Sequence, residues 1–266
     1  MLREVSIEDI WDGRFYSRND AVHIGCHDCE GCSACCRNTG DSIILDPLDM
    51  YCLTIWTHKQ FKDMIEKEIE IREVDGMILP NIMEHDEAHP EKPDGCPFLN
   101  SDGRCGIYQF RPGFCRLFPL GRYYVDPTAG AAAPPEPSVP SSASSDGSAS
   151  SLSSVPLSGE DEKHRGFYYF VQDGECALPD DGKYDVKVSD WLGVENAEQY
   201  EKFIVTWHFF LKDTSARLKR YPKPAREPIA RSILQIFFVQ PYDRFHDFYP
   251  QFEERLASVR RQLSRL

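Results

Sequence analysis

A chain of 266 residues, 41% hydrophobic and 12% aromatic, can bury one core, alone or with a small satellite. Its formal net charge of −13 argues against general nucleic-acid binding through the phosphate backbone. Because the polar N-terminus lacks a signal-peptide pattern and no apolar run approaches the roughly 20 residues of a spanning helix, we expect a cytoplasmic protein without a membrane partner.

Five cysteines crowd into eleven residues near the N-terminus. They are Cys26, Cys29, Cys32, Cys35 and Cys36. A thiol is mostly protonated at neutral pH, so crowded thiols gain nothing from one another unless a cation deprotonates and links them. In the reducing cytoplasm, clustered cysteines more often mean metal or catalysis than disulfides. The run therefore predicts a metal site.

The spacing of this run bears on the kind of metal. Cys26, Cys29, Cys32 and Cys36 reproduce the x2, x2, x3 intervals that bacterial ferredoxins use for a 4Fe-4S cluster, although Arg37 stands where that motif has proline. Four thiolates also suit a tetrahedral zinc ion. An iron-sulfur cluster and zinc both stay open, with the number of thiolates slightly favouring iron-sulfur.

A helix is predicted after the cysteine run. Residues 46–68 carry helical spacing, with Leu48, Tyr51, Cys52 and Ile55 on one apolar face. Asp46-Pro47 resembles a helix start with proline at the first position. We therefore assign Asp46 and Asp49 as helix caps, not as metal ligands, and Cys52 as a core residue.

A hairpin is predicted directly after this helix. Segments 69–74 and 77–80 alternate in hydrophobicity on either side of Asp75-Gly76. An Asp-Gly pair between two such segments favours a two-residue turn.

More cysteines follow at larger intervals. They are Cys96, Cys105, Cys115 and Cys176. These residues complete the ligand set if the fold brings them back to the first run. Because thiolate clusters carry negative charge, the guanidinium groups of Arg111 and Arg116 are predicted to offset it and to donate hydrogen bonds to sulfur.

An insertion interrupts the chain at residues 127–163. The tract is rich in Ala, Pro and Ser, lacks aromatic residues and is predicted to be disordered. Aromatic and β-branched segments at 123–125 and 167–171 flank it. We expect these segments to pair as a hairpin, so that the insertion elaborates a turn within one domain.

Two aromatic stripes at helical spacing mark the C-terminal third. One belongs to a helix beginning near Ala197 and comprises Tyr200, Phe203, Ile204, Trp207, Phe210 and Leu211; the other comprises Phe252, Leu256, Val259 and Leu263. Both are predicted to be core. Residues 212–266 contain twelve Lys or Arg against six Asp or Glu, which indicates a solvated helical face or a surface for an acidic protein partner.

The motifs Cys29-x2-Cys32-x2-Cys35-Cys36, Cys96-Pro-Phe-Leu, Cys105-x-Ile-Tyr and Arg-Pro-x-x-Cys115-Arg-x-Phe-Pro together resemble the YkgJ-type CxxCxxCC cysteine-cluster family. That family is described as zinc- or iron-chelating and includes relatives of flagellin lysine N-methylase. The resemblance implies a metal site. Cys26 precedes the family's run, and Ala177-Leu178 follows Cys176 where the family has glycines, so we rank these two cysteines below the other ligands.

These patterns predict an α+β fold: a cysteine-rich metal-binding core with short β-hairpins packed on C-terminal helices. Residues 1–20 are expected to form an N-terminal extension, 21–195 the metal-binding domain and 196–266 a helical region of the same globule. The predicted function is metal binding through thiolates that hold zinc or an iron-sulfur cluster. The alternatives are a cluster-dependent lysine N-methyltransferase-like enzyme, which the resemblance implies, and a metal-folded protein-interaction module.

Overall fold

The computed structural model describes residues 7–25, 32–37, 42–65, 67–83, 95–126, 165–176 and 182–265. Short antiparallel hairpins and helices occur along these ranges, which confirms the predicted α+β class. The predicted insertion and two predicted ligands, Cys26 and Cys29, lie outside the described residues. None of the helices in the described ranges is both long and apolar enough to cross a lipid bilayer.

The described strands and helices are short apart from those near the C-terminus. The strands are β1 (Ala21–Ile24), β2 (Ile69–Val74), β3 (Met77–Ile82), β4 (Leu120–Val125), β5 (Gly166–Val171) and β6 (Tyr184–Lys187). The α-helices are α1 (Ala34–Arg37), α2 (Pro47–Thr57), α3 (Phe61–Met64), α4 (Gly113–Leu117), α5 (Val188–Leu192), α6 (Ala197–Leu218), α7 (Lys223–Leu234) and α8 (Phe248–Leu263). Two 3-10 turns (Ile7–Asp9, Tyr108–Phe110) and a π-helical turn (Gln235–Val239) are also present.

The chain divides into two compact units. The first takes in residues 29–115 and 207–266, and the second takes in residues 2–28 and 116–206. Helix α6 begins in the second unit and ends in the first. Of the nine predicted cysteine ligands, Cys26 and Cys176 fall in the second unit and the others fall in the first.

In the first unit, β2 and β3 form the hairpin that Asp75-Gly76 predicts. Asp75 and Gly76 have φ angles of 53° and 80°, as a turn that follows the twist of the strands requires. Strand β3 also pairs with the segment before α2, where the Leu45 N–H donates to the Pro80 carbonyl at 2.9 Å. Helix α7 packs on β3. The hairpin thereby joins the start of α2 to the C-terminal helices.

Helix α2 begins at a reciprocal cap and ends earlier than predicted. The Asp46 side chain accepts the Asp49 N–H at 2.8 Å and the Asp49 side chain accepts the Asp46 N–H at 2.9 Å, so both act as caps, as expected. His58 is left-handed, with a φ of 55°, which ends the helix at Thr57. The prediction of continuous helix over 46–68 is therefore wrong: the helix stops at Thr57, and only the short α3 follows within that range. The spacing of apolar residues does not reveal a single residue with a positive φ angle.

The C-terminal helices of this unit bury their aromatic stripes, as predicted. Trp207 contacts Phe237 and Phe252 with ring centroids 5.0 and 6.1 Å apart. The α8 stripe of Phe252, Leu256, Val259 and Leu263 is buried throughout. Arg255 lies 3.6 Å over the Tyr242 ring and donates to the Ile236, Gln240 and Pro241 carbonyls. It thus satisfies carbonyl groups where the π-helical turn ends.

In the second unit, β4 and β5 form the other predicted hairpin, with Tyr123 opposite Tyr168. The N-terminal segment adds to β5, because Tyr16 and Tyr169 exchange backbone N–H···O bonds of 2.8 and 2.9 Å. Strands β1 and β6 form a further antiparallel pair. These pairings hold together pieces of chain that are far apart in sequence.

A buried polar network lies behind the β4–β5 hairpin in the second unit. Glu201 on α6 is fully buried and accepts the Tyr169 hydroxyl at 3.0 Å and an Arg18 guanidinium N–H at 2.6 Å. Arg122 donates to the Tyr200 hydroxyl at 3.1 Å. Burial is the main cause that raises the pKa of Tyr169, so its phenol stays protonated and can donate to Glu201.

Candidate metal centre

The first cysteine segment is a single tight turn in the described part of the chain. Ser33 has a φ of 51°, and its carbonyl accepts the Cys36 N–H at 2.9 Å. The Arg37 Nε donates to the Ser33 hydroxyl at 3.0 Å and fastens the turn. Cys35 is exposed and Cys36 is half-buried on α1. The turn therefore presents two adjacent thiols on a fixed backbone.

The second cysteine segment is attached directly to the first. The Cys96 N–H donates to the Cys36 carbonyl at 2.7 Å, across sixty residues of sequence. Gly95 has a φ of 99°, and a Cβ at this position would overlap the Cys36 carbonyl oxygen. Only glycine fits this close approach without strain. A backbone hydrogen bond thus links Cys36 directly to Cys96.

A narrow loop returns Cys105 toward Cys96. Leu99 and Cys105 form an isolated antiparallel bridge, and the Gly106 N–H donates to the Phe98 carbonyl at 2.8 Å. The Leu99 N–H donates to the Cys96 carbonyl at 3.0 Å. The loop therefore turns Cys105 back toward Cys96, although eight residues lie between them in sequence.

The third cysteine segment is attached to α2. Cys115 lies on α4, whose first residue, Gly113, donates its backbone N–H to the Asp49 carboxylate at 2.8 Å. Trp56 on α2 stacks on Phe110, with ring centroids 5.0 Å apart. Helix α2 thus carries the segment that precedes Cys115.

The thiols of these segments act electrostatically on one another. The pKa of Cys36 is raised by a hydrogen bond with Cys35, then by burial and by the charges of Cys35, Cys96 and Cys105. Burial followed by the charges of Cys96, Cys35 and Cys105 raises the pKa of Cys115. Crowded, buried thiols of this kind hold their protons until a cation stabilises the thiolates.

The described cysteine side chains do not form a complete coordination shell. Among the described residues, no three His, Cys, Asp or Glu side chains are grouped so as to hold a metal ion. The chemistry of the donors nevertheless fits zinc or iron, since both bind cysteine thiolates. Cys29, which the sequence assigns to the same site, lies outside the described residues.

A comparison with protein-family models bears directly on this segment. Residues 28–131 match the CxxCxxCC family, described as a "putative zinc- or iron-chelating domain". The chain carries a CxxCxxCC domain. The description of the family supports metal binding by these residues. Searches of curated proteins and of solved structures found no match.

The limits of the CxxCxxCC domain separate the predicted ligands into two groups. Those within residues 28–131 are Cys29, Cys32, Cys35, Cys36, Cys96, Cys105 and Cys115. Cys26 and Cys176 lie outside the matched range. The Cys176 sulfur is 3.9 Å from the carbonyl oxygen of Gly25 in the second unit. The assignment of Cys26 and Cys176 as ligands stays a prediction.

The two predicted arginines occupy different surroundings. Burial raises the pKa of Cys105, and the backbone hydrogen bond with Ile107 and then the charge of Arg111 lower it. A role for Arg111 at the metal stays a prediction. The Arg111 guanidinium also lies 4.1 Å from the Tyr108 ring centroid. Arg116 instead donates to the Leu192 carbonyl at 2.8 Å within the second unit. A role for Arg116 at the metal stays a prediction.

Three features of the CxxCxxCC domain go beyond the sequence interpretation. The predicted cap describes only one bond of Asp49, because its carboxylate also accepts the Gly113 backbone N–H. The close approach of Gly95 to Cys36 has one signal in the sequence, a glycine directly before a predicted ligand cysteine. Cys52 is half-buried on α2, whereas Met50 and Leu53 on the same helix are buried. The prediction that Cys52 is a core residue is therefore only partly confirmed.

Proposed function

We propose that the CxxCxxCC domain holds zinc or an iron-sulfur cluster through cysteine thiolates in the cytoplasm. The observation that carries the proposal is the backbone bond between Cys96 and Cys36, which joins two cysteine segments remote in sequence. The charges of Cys35, Cys96 and Cys105 raise the pKa values of both Cys36 and Cys115. Bringing buried thiols together is unfavourable for thiolates unless a cation binds them.

The number of thiols favours more than one mononuclear site. Seven predicted ligand cysteines lie within the matched range, whereas a structural zinc ion takes four ligands. A cluster or a second ion uses the surplus. When bound, zinc would cross-link the segments, and an iron-sulfur cluster would add electron transfer. The Arg111 guanidinium would offset part of the thiolate charge.

Anaerobic purification followed by elemental analysis and ultraviolet-visible spectroscopy tests the proposal. We expect at least one zinc or iron per chain, with visible absorption and acid-labile sulfide if iron is present. Colourless protein with less than one metal per chain would contradict it.

Paired substitutions locate the metal. Cys36→Ser should remove most of the bound metal, because Cys36 is half-buried beside Cys96. Cys52→Ala is the matched control: Cys52 is equally half-buried but lies on α2, where alanine is a good helix former. Equal metal content in the two variants would place the metal elsewhere. The methyltransferase-like and interaction-module alternatives stay predictions.

A further inference from the structure

We infer that Asp49 is a positioning residue of the metal centre, whose carboxylate fixes the segment that carries Cys115. The inference rests on the proposed metal-binding function and assigns a role to a residue that sequence alone marks as a helix cap.

The Asp49 carboxylate makes two different backbone contacts from a buried position. Only 5% of Asp49 is exposed. One oxygen, Oδ2, accepts the Asp46 N–H at 2.9 Å and completes the cap of α2. The other, Oδ1, accepts the Gly113 N–H at 2.8 Å, although Gly113 is 64 residues away in sequence. Hydrogen bonds to a charged acceptor are stronger than neutral ones, so this is a firm attachment.

The attachment lies at the point where it controls a ligand. Gly113 begins α4, and Cys115 follows two residues later on the same short helix. Gly113 and the preceding Pro112 are buried. Because the backbone N–H at a helix start has no partner within the helix, a carboxylate from elsewhere in the fold can hold it. Moving Gly113 would move the Cys115 thiol with it.

A second contact fixes the direction of this segment. Trp56 stacks on Phe110, with an interplanar angle of 24°. Asp49 and Trp56 lie seven residues apart on α2, about 10 Å along the helix. Two attachments at this separation prevent the segment from pivoting about either one. Helix α2 therefore determines both where the Cys115 segment lies and which way it runs.

Asp49 is suited to positioning and not to ligation. Both of its carboxylate oxygens already accept backbone N–H groups. The residue that it holds, Gly113, lies two positions before Cys115 on α4, so the carboxylate acts on the ligand through the backbone. Partners behind the ligands of a metal commonly change metal affinity about 10- to 100-fold when removed.

The test compares two aspartates in equivalent caps. In Asp49→Ala, the cap of α2 and the bond to Gly113 are both lost. Asp63 is the cap control, because it holds the same cap position on α3 and accepts the Gln60 N–H at 3.1 Å, although it is exposed where Asp49 is buried. Among the described residues, the Asp63 carboxylate accepts this local N–H alone. Asp63→Ala thus removes a cap without releasing a cysteine segment.

One measurement needs no metal. The reduced, chelator-treated variants are alkylated with iodoacetamide, and the rate at each cysteine is followed by peptide mass spectrometry. We expect Cys115 to react several-fold faster in Asp49→Ala than in Asp63→Ala, with Cys96 and Cys105 unchanged. Equal Cys115 rates would overturn the inference. Uniform acceleration at all three cysteines would also overturn it, by assigning Asp49 to general stability.

The other measurement uses cobalt(II) as the probe, since thiolate-to-cobalt absorption reports thiolate ligands. Asp49→Ala should bind cobalt about 10- to 100-fold more weakly than Asp63→Ala, with a spectrum like that of Cys115→Ser. A wild-type spectrum and affinity would overturn the positioning role. If the wild-type protein binds no cobalt, zinc or iron, the proposed function fails, and the alkylation rates still decide whether Asp49 positions Cys115.

Asp49→Asn keeps the inference testable if the alanine variant does not fold. Its single amide oxygen can accept only one of the two backbone N–H bonds that the carboxylate accepts. We expect a Cys115 alkylation rate between those of wild type and Asp49→Ala. A Cys115 rate in Asp49→Asn equal to that of Asp63→Ala would count against the inference.

Discussion

Two regions of the molecule solve the problem of buried polar groups in opposite ways. Behind the β4–β5 hairpin, Glu201 is matched within the protein by Arg18 and the Tyr169 hydroxyl. In the cysteine segments, the thiols of Cys36 and Cys115 face other thiols that raise their pKa values. The polar groups of the first region pair with one another, whereas the thiols of the second are crowded together and have raised pKa values. We therefore expect metal binding to stabilise the cysteine segments and not the Glu201 network.

Metal removal should produce the largest difference between the two regions. Chelation should increase hydrogen exchange at the backbone amides of residues 95–106, and leave protected the Gly113 amide, which Asp49 holds, and those of β4 and β5, because structural thiolate-metal binding is coupled to folding. Hydrogen-exchange mass spectrometry with and without a chelator measures this. Equal loss of protection in both regions would show that the metal supports the whole fold.

Substitution of Glu201 should have the next largest effect. Glu201→Ala leaves Arg18 and the Tyr169 hydroxyl without their buried acceptor and should cost about 3 kcal/mol of unfolding free energy. Urea denaturation measures the loss. Metal content per folded chain should not change, because this network lies in the second unit.

Glu198→Ala is the control for the Glu201 substitution. Glu198 also pairs with Arg18, at 3.7 Å, but its side chain is 80% exposed. Surface pairs of this kind contribute about 0 to 1 kcal/mol. If both variants lost the same stability, burial of Glu201 would not be the cause.

Gly95→Ala should cost about 1 to 3 kcal/mol, because alanine is strained at a φ of 99° and its Cβ would overlap the Cys36 carbonyl oxygen. Metal affinity should fall with it, since this contact joins Cys36 to Cys96. Gly174→Ala is the control: its φ is 71°, with nothing within 4 Å of the added Cβ. Thermal denaturation and zinc competition distinguish them, and equal metal affinities would show that the contact does not organise the site.

Substitution of Arg111 should have the smallest effect. Arg111→Gln removes a positive charge that lowers the pKa of Cys105, so protons should compete better for this thiol and metal binding should weaken by about tenfold at most. Arg104→Gln is the control, since Arg104 is largely exposed and lies 4.0 Å from Asp102. Zinc competition at constant pH compares the two. Stronger zinc binding by Arg111→Gln would contradict the assigned charge effect.

Local patterns predicted most of the regular structure. Asp75-Gly76 gave its hairpin because two successive residues with positive φ suit few other pairs. The stripes on α6 and α8 are buried because a 3.6-residue period records one face of a helix. The helix predicted over 46–68 failed at His58, where a single left-handed residue leaves no mark in the period of apolar residues.

The residues alone predict which donors are available: cysteines at close intervals, an arginine near them and a match to a family model over residues 28–131. Ligand type follows from side-chain chemistry, which the sequence states outright. Only the tertiary structure decided how the segments meet, through the Cys96–Cys36 backbone bond and the Asp49–Gly113 bond. Both bonds are donated by backbone N–H groups, which almost every residue has. The residue types therefore do not predict which distant acceptor each N–H will find.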